Sequence, residues 1–305
     1  MQHIRGALCH VGVRVARERG FFAAEGLEVE LLSPDASGAH GHGVYDWLIG
    51  PSGRVRNDVA LIEYPALADI ALGRAEFYVL AGEHSGCRQL VVPAQSPFQS
   101  LADLKGKRIG LPAIADPLAW EYLLRQASVA SESVRWVSAP VAPGGTDELE
   151  LVKREFATDR LDAFIAADPV GEILKADGLV RHLVSNTWTA PLNGWYCCMI
   201  AVRGEVLDAH PDIGRALTRA WRQSAAFIEQ NPAEAIALSV AKGYMPADTR
   251  QDVCARLLRE YVWMGTDRIE EDLEHYFKLL IEAGRLPASP SPRELVKRVY
   301  RNPEA

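Results

Sequence analysis

Between Ser100 and Gln126 the chain reads Ser-Leu-Ala-Asp-Leu-Lys-Gly-Lys-Arg-Ile-Gly-Leu-Pro-Ala-Ile-Ala-Asp-Pro-Leu-Ala-Trp-Glu-Tyr-Leu-Leu-Arg-Gln. No other stretch limits the architecture so tightly. Ser100 suits the cap of a short helical turn and Gly106 ends it. Lys107 to Leu111 then forms a short apolar strand, and Asp116-Pro117 opens a helix with a cap and a proline in its first turn. A strand feeding a helix needs a sheet with a helical layer packed on it. The free N–H groups of such a helix start form an anion site at the strand's carboxyl end.

The same unit recurs along the chain. Asp58 to Pro65 is an apolar strand ending in polar Glu63 and Tyr64, and it feeds a helix at 66–72. Leu161 to Pro169 ends in the carboxylate of Asp168. Further strands are expected at 77–82, 88–93, 135–138, 180–184 and 195–202, and helices at 11–19 and 147–158. Leu27, Val29 and Leu31 alternate as in an amphipathic strand. Residues 33–53 read as a long loop around a short helix at 45–48. After Val202 the pattern is helical throughout, at 211–230, 232–242, 248–261, 268–283 and 292–300. This order predicts an α/β fold with a helical C-terminal tail, and 305 residues suit two lobes better than one core.

Charge and cysteine usage narrow the function. The chain carries 33 basic and 40 acidic residues, a formal charge of −7, and no run of Lys and Arg, so nucleic acid is not an expected partner. Its five cysteines, Cys9, Cys87, Cys197, Cys198 and Cys254, lack C-x-x-C spacing. Neither a disulfide framework nor a zinc knuckle is indicated, and no metal or cofactor is expected. No long apolar run is present, and His3, Arg5, His10, Arg14 and Arg17 interrupt the first twenty residues, which argues against a membrane span or a secretory signal.

Several residues admit two readings. His84 and Cys87 with Cys197 and Cys198 suit a soft metal or thiol-reactive ligand, or the ordinary packing of buried thiols. Glu63 and Asp168 suit an acid/base pair, or helix caps and hydrogen-bond partners. Trp195 and Trp188 suit a stacking platform or core filling. His40 and His42 read as solvated loop residues.

Taken in order, Arg17-Glu-Arg-Gly-Phe-Phe-Ala-Ala-Glu-Gly-Leu-Glu-Val-Glu-Leu, Leu80-Ala-Gly-Glu-His-Ser-Gly-Cys, the Ser100 to Pro112 segment, Leu161-Asp-Ala-Phe, Trp195-Tyr-Cys-Cys, Ala220-Trp and Asn231-Pro-Ala-Glu-Ala resemble the NMT1/THI5-like substrate-binding proteins of ABC importers for nitrate, sulfonates and taurine. The resemblance covers nearly the whole chain. It implies a type II periplasmic-binding-protein fold: two α/β sandwich lobes, a hinge of two crossing strands, and a helical C-terminal tail. One lobe would hold residues 1–87 and 198–305, and the inserted lobe residues 88–197. The crossings are expected near 84–92 and 188–199.

The cleft would be lined by His10, Glu63 and Tyr64 on the first lobe, and by Asp116 and Asp168 on the second. His84, Cys87, Trp195, Tyr196 and Cys197 would stand at the crossings. The resemblance also implies a monomer that captures a sulfonate, nitrate or pyrimidine-like solute for an ABC permease and ATPase, in the periplasm or outside the cell. A cytoplasmic location is the alternative that the missing signal leaves open, and with it a cytosolic ligand sensor. A desulfinase of the same fold is the enzymatic alternative, with Cys9 as nucleophile, His42 or His40 as its partner, and Arg54 or Arg56 for the sulfinate oxygens.

Overall fold

In the computed structural model of the protein, residues 8–31, 58–112, 116–139, 146–264 and 268–304 are described. A 3₁₀ turn, Leu8–His10, leads into helix α1 (Val11–Glu18), and α2 (Phe21–Ala24) follows at once. Strand β1 (Val59–Glu63), helix α3 (Ala66–Ala71) and strands β2 (Phe77–Ser85) and β3 (Arg88–Pro93) come next. Then follow β4 (Arg108–Pro112), α4 (Leu118–Gln126), β5 (Arg135–Ala139), α5 (Thr146–Ala157) and β6 (Ala163–Ala167). Helix α6 (Val170–Ala176), β7 (Val180–Ser185) and β8 (Tyr196–Arg203) complete the sheets. The remainder is helical: α7 (Gly204–Ala209), α8 (Ile213–Gln230), α9 (Pro232–Ala241), α10 (Gln251–Glu260), α11 (Ile269–Glu282) and α12 (Pro292–Val299).

The strands form two sheets. One has three strands in the order β1-β8-β2, all antiparallel; the other has five in the order β5-β4-β6-β3-β7, with β5, β4 and β6 parallel and β3 antiparallel to β6 and β7. Side chains on a strand alternate between faces, so a sheet covered by helices on both sides needs apolar residues at every position. That is why Ala163-Phe-Ile-Ala-Ala is buried throughout. Ala163 and Ile165 join the α4 side, with Leu118, Trp120 and Leu124, whereas Phe164 and Ala166 pack with Leu151 and Val152 of α5 and with Val170 and Leu174 of α6. In the smaller sheet, Ile62, Val79 and Met199 share a core with Leu273 and Phe277 of α11, while Leu61, Leu80 and Ile200 face Trp221 of α8.

The sheets are joined where β2 passes into β3 and where β7 returns to β8. At the first joint Gly86 and Cys87 both adopt positive φ, 90° and 87°. Only glycine does this without strain, so Cys87 must be held there by its surroundings. Asn186 supplies much of that hold. Its side chain accepts from the Arg88 amide at 2.7 Å and donates to the Gly86 carbonyl at 3.0 Å, lacing the two joints together. A third tie comes from beyond α10, where the Ser85 amide donates to the Val262 carbonyl at 3.0 Å and the Met264 amide to the Glu83 carbonyl at 2.9 Å.

The Ser100 to Gln126 unit matches its expected form. Ser100 and Asp103 make a reciprocal cap on the 3₁₀ turn Leu101–Leu104, and the Asp116 carboxylate accepts from the Leu118 amide at 2.8 Å. Two features differ from the sequence reading. Residues 27–31 belong to no strand among the described residues, although Leu27 and Val29 still use their alternation to pack beneath α8. Helix α7, only six residues long, was not anticipated. The expected loop at 33–53 and its helix lie outside the described residues.

The close approach of β2 and β8 depends on Gly82. A Cβ there would lie 2.2 Å from the Tyr196 ring, with no flexible chain end to yield. Gly82→Ala is therefore expected to lose about 1–3 kcal/mol of stability through overpacking, measured by urea denaturation. An unchanged midpoint would refute the packing argument.

Candidate functional site

Residues from both sheets converge on the joints. At the carboxyl end of β1 the Glu63 carboxylate lies 2.5 Å from a guanidinium nitrogen of Arg88, the first residue of β3. Burial pushes the Glu63 carboxyl up to about 7, against the pull of the Arg88 charge. Burial opposes the charge on Arg88, but Glu63 together with Cys87, Cys197 and Cys9 holds its guanidinium well above the usual value, so it stays cationic. Its Nη1 is buried without a hydrogen-bond partner among the described residues. A buried guanidinium nitrogen in that condition is costly unless something accepts from it.

Next to Glu63, the Tyr64 hydroxyl donates to the Asp116 carbonyl at 2.8 Å, closing the end of β1 onto the start of α4. Tyr64 stacks on Tyr276 at 4.9 Å between ring centroids. The expected anion cradle at the α4 N-terminus is filled by the protein itself. One Asp116 oxygen caps Leu118 and the other pairs with Arg285. Trp195 is buried and enclosed by His275 at 5.2 Å, Tyr276 at 5.5 Å and Tyr122 at 5.8 Å, so it fills the junction as part of an aromatic cluster. The Tyr196 amide donates to Asp272 at 3.1 Å and its carbonyl accepts from the Tyr276 hydroxyl at 2.7 Å. Trp188 is exposed and donates to Glu260 at 3.0 Å.

Asp168 ends β6 and is buried. It accepts from the Tyr261 hydroxyl at 2.6 Å and from the Gln89 side chain, and its amide donates to the Cys87 carbonyl at 2.9 Å. Burial raises its carboxyl to about 7 even though both side-chain bonds favour the ionised form. Among the described residues Glu63 and Asp168 each have a different partner, Arg88 for one and Tyr261 with Gln89 for the other.

Four thiols and an imidazole gather beside this junction. Cys198 lies opposite both Glu63 and His84 in the β1-β8-β2 register. Cys9 approaches from the turn before α1, and the Sγ atoms of Cys9 and Cys198 and a ring nitrogen of His84 all lie within 4.8 Å of one another. Cys87 Sγ is 3.0 Å from Cys197 Sγ. Hydrogen bonds from Cys198 and Cys87 hold the Cys9 thiol well below its usual value of 9.0. Burial opposes charge on His84, but the neighbouring Cys9 thiol and the charge of Glu83 raise the ring to about 9. The pair therefore favours thiolate and imidazolium. His84 is boxed by Tyr261 at 4.9 Å and Trp263 at 5.4 Å. His10 is half-buried at the entry to α1, where burial lowers its pKa.

His42, His40, Arg54 and Arg56 lie outside the described residues. Within them the histidine beside Cys9 is His84. Sequence reasoning missed Arg88, although an arginine opening an otherwise apolar strand, Arg-Gln-Leu-Val-Val, was a signal. It also missed Tyr261, whose place in the C-terminal helices offered none.

A family model described as NMT1/THI5 like matches residues 78–235. No curated protein sequence matches this chain. Among solved structures, the alkanesulfonate-binding protein SsuA from Xanthomonas axonopodis pv. citri, bound to MOPS, is 17% identical with a TM-score of 0.73, covering 98% of this chain and 97% of its own. The periplasmic nitrate-binding protein NrtA from Synechocystis PCC 6803 is 14% identical with a TM-score of 0.73, covering 98% and 86%. The desulfurization enzyme DSZB is 16% identical with a TM-score of 0.65, covering 95% and 93%. At these identities the likeness establishes the periplasmic-binding-protein fold.

The Asp168 shift has a sign that can be measured. Its folded value of about 7 lies above the ordinary 3.8, so the folded protein holds this proton more tightly. The stability it contributes is complete below the unfolded value and is lost as pH rises through about 7. Asp168→Asn cannot titrate, so denaturation midpoints between pH 5 and pH 8, on the order of the range spanned here, should fall less steeply than in the wild type. Parallel profiles would show that Asp168 is ionised in the folded protein throughout.

Proposed function

This chain belongs to the NMT1/THI5-like family, and on that footing we propose that it is a solute-binding protein that takes a small organic anion, a sulfonate or similar, between two lobes and delivers it to an ABC importer. The lobes would be built on the three-stranded and five-stranded sheets, with residues 85–88 and 185–196 as the hinge. The observation that carries the reading is Arg88, a buried cation at the joint with one nitrogen awaiting an acceptor. A sulfonate or carboxylate oxygen supplies that acceptor in a charge-assisted bond.

The acidic residues do not oppose an anion here. Glu63 is paired with Arg88, burial raises the Asp168 carboxyl to about 7, and Asp116 is taken up by Leu118 and Arg285. Tyr64 and Tyr276 add apolar ring surface beside the charge. Closure of the lobes would bury the solute, and an importer would read the closed form. The sulfonate- and nitrate-binding proteins that share the fold agree with this choice of ligand class.

A second reading draws support from Cys9. Its thiol is held below its usual pKa beside His84 and ahead of α1, as a nucleophile requires, and an enzyme shares the fold. That reading requires sulfite release from an aryl sulfinate, abolished by Cys9→Ser.

Calorimetric titration with alkanesulfonates, nitrate and a neutral pyrimidine tests the main reading. Alkanesulfonate binding is expected to weaken by roughly 10- to 100-fold in Arg88→Gln, the worth of one charged hydrogen bond. Wild-type affinity should rise as pH falls through about 7, because protonation of Glu63 frees Arg88 for the anion. Preference for the neutral pyrimidine, or an Arg88→Gln protein that binds sulfonates unchanged, would overturn it.

A further inference from the structure

We propose that Cys9, His84 and Cys198 form a binding site for a thiophilic divalent cation of the zinc type, separate from the solute position at Arg88. Three segments distant in sequence bring their ligand atoms within 4.8 Å of one another: the turn before α1, the end of β2, and the central strand β8. Metal–sulfur bonds near 2.3 Å and metal–nitrogen bonds near 2.0 Å, about the values general for zinc, place ligand atoms on adjacent corners of a tetrahedron within about 4 Å of each other. The triad is therefore nearly assembled. Small side-chain movements complete it.

The second observation is the state of the imidazole. His84 Nδ1 lies 3.1 Å from the Ser85 carbonyl oxygen, which can only accept, so Nδ1 carries a proton. The ring is fully buried, and Nε2 has no hydrogen-bond partner among the described residues. The nearest Glu83 oxygen stands at 4.0 Å, beyond hydrogen-bond reach. A histidine that gives one N–H to a backbone carbonyl and offers its other nitrogen to a buried space is arranged as metal-bound histidines are. Stacking on Tyr261 and contact with Trp263 fix the plane of the ring.

The charge balance also suits a divalent ion. Two thiolates and a neutral imidazole cancel a 2+ charge, which makes the complex tolerable in a buried setting. Two protons leave on binding: one from Cys198, and one from the Cys9–His84 pair, whichever of its members holds it. All three ligands of the triad stand on elements outside the five-stranded sheet, so occupancy does not require solute or lobe closure.

The test uses the purified full chain, reduced and stripped with a chelator, titrated with Co²⁺ and then Zn²⁺. One equivalent of Co²⁺ should produce a thiolate-to-cobalt charge-transfer band and the intense visible bands of four-coordinate cobalt, both erased by Zn²⁺. Cys198→Ser and His84→Gln should weaken Zn²⁺ binding by ~100-fold or more, more than the loss of an outer-shell partner, while Cys254→Ser, on α10 and outside the triad, should leave it unchanged. If Cys198→Ser fails to fold by circular dichroism, Cys9→Ser, which alters the half-buried member, serves in its place. Absence of the charge-transfer band from the reduced wild type overturns the proposal, as does an affinity that is the same in the Cys9, Cys198 and Cys254 variants. Because no sulfonate is present, a failure of solute binding leaves this result untouched.

Discussion

A guanidinium buried between two sheets is the constraint to which the joint is built. Arg88 is 6% exposed, and a cation so placed needs an opposite charge close by. Glu63 supplies it from the end of β1, across the boundary between the sheets. That pairing requires β1 to end at Glu63 and β3 to begin at Arg88, and it requires the chain between them to turn at Gly86-Cys87. The Asn186 bonds and the Val262 tie then hold the turn against its own strain. The anion reading and the strained joint are two aspects of one buried charge.

The neighbouring aromatic and carboxylate groups follow from the same closeness. Tyr64 can reach Asp116 only because the end of β1 lies against the start of α4, and Trp195 is enclosed by residues of α4 and α11 together. Asp168 reaches Tyr261 from the opposite direction. Burial at the boundary raises the Glu63 and Asp168 carboxyls toward neutrality against the pull of their partners, and leaves Arg88 as the charge with capacity to spare.

Much of the fold was legible because local signals and burial agreed. Apolar runs such as Ala163 to Ala167 and capped starts such as Ser100 and Asp116 specify their elements wherever they sit. The site was less legible. Glu63, Tyr64 and Asp168 were identifiable as strand-end residues, and His84 and Cys87 as residues of a crossing, yet their partners are remote: Arg88 for Glu63, Tyr261 for Asp168, Cys9 for His84. Spacing along the chain could not pair Cys9 with His84 and Cys198, because a ligand set drawn from three segments leaves no periodic trace. Asp116 and Trp195 were expected in the cleft and at a crossing, and the occupants of their polar and ring surfaces, Arg285 and His275, come from α11 and the turn after it.

The strand order of the smaller sheet has a consequence for synthesis. β1 and β2 do not pair with each other; both pair with β8, which sits between them. The five-stranded sheet is complete in the nascent chain at Ser185, before Tyr196 has been made. All strands of the five-stranded sheet thus leave the ribosome before β8 does, while the first two strands still present open edges, the condition in which strands pair wrongly with other chains. The late arrival of Tyr196 to Arg203 is what converts those edges into a sheet. The apolar Cys-Cys-Met-Ile-Ala-Val core of that strand is thus as much a safeguard for the growing chain as a part of the finished molecule.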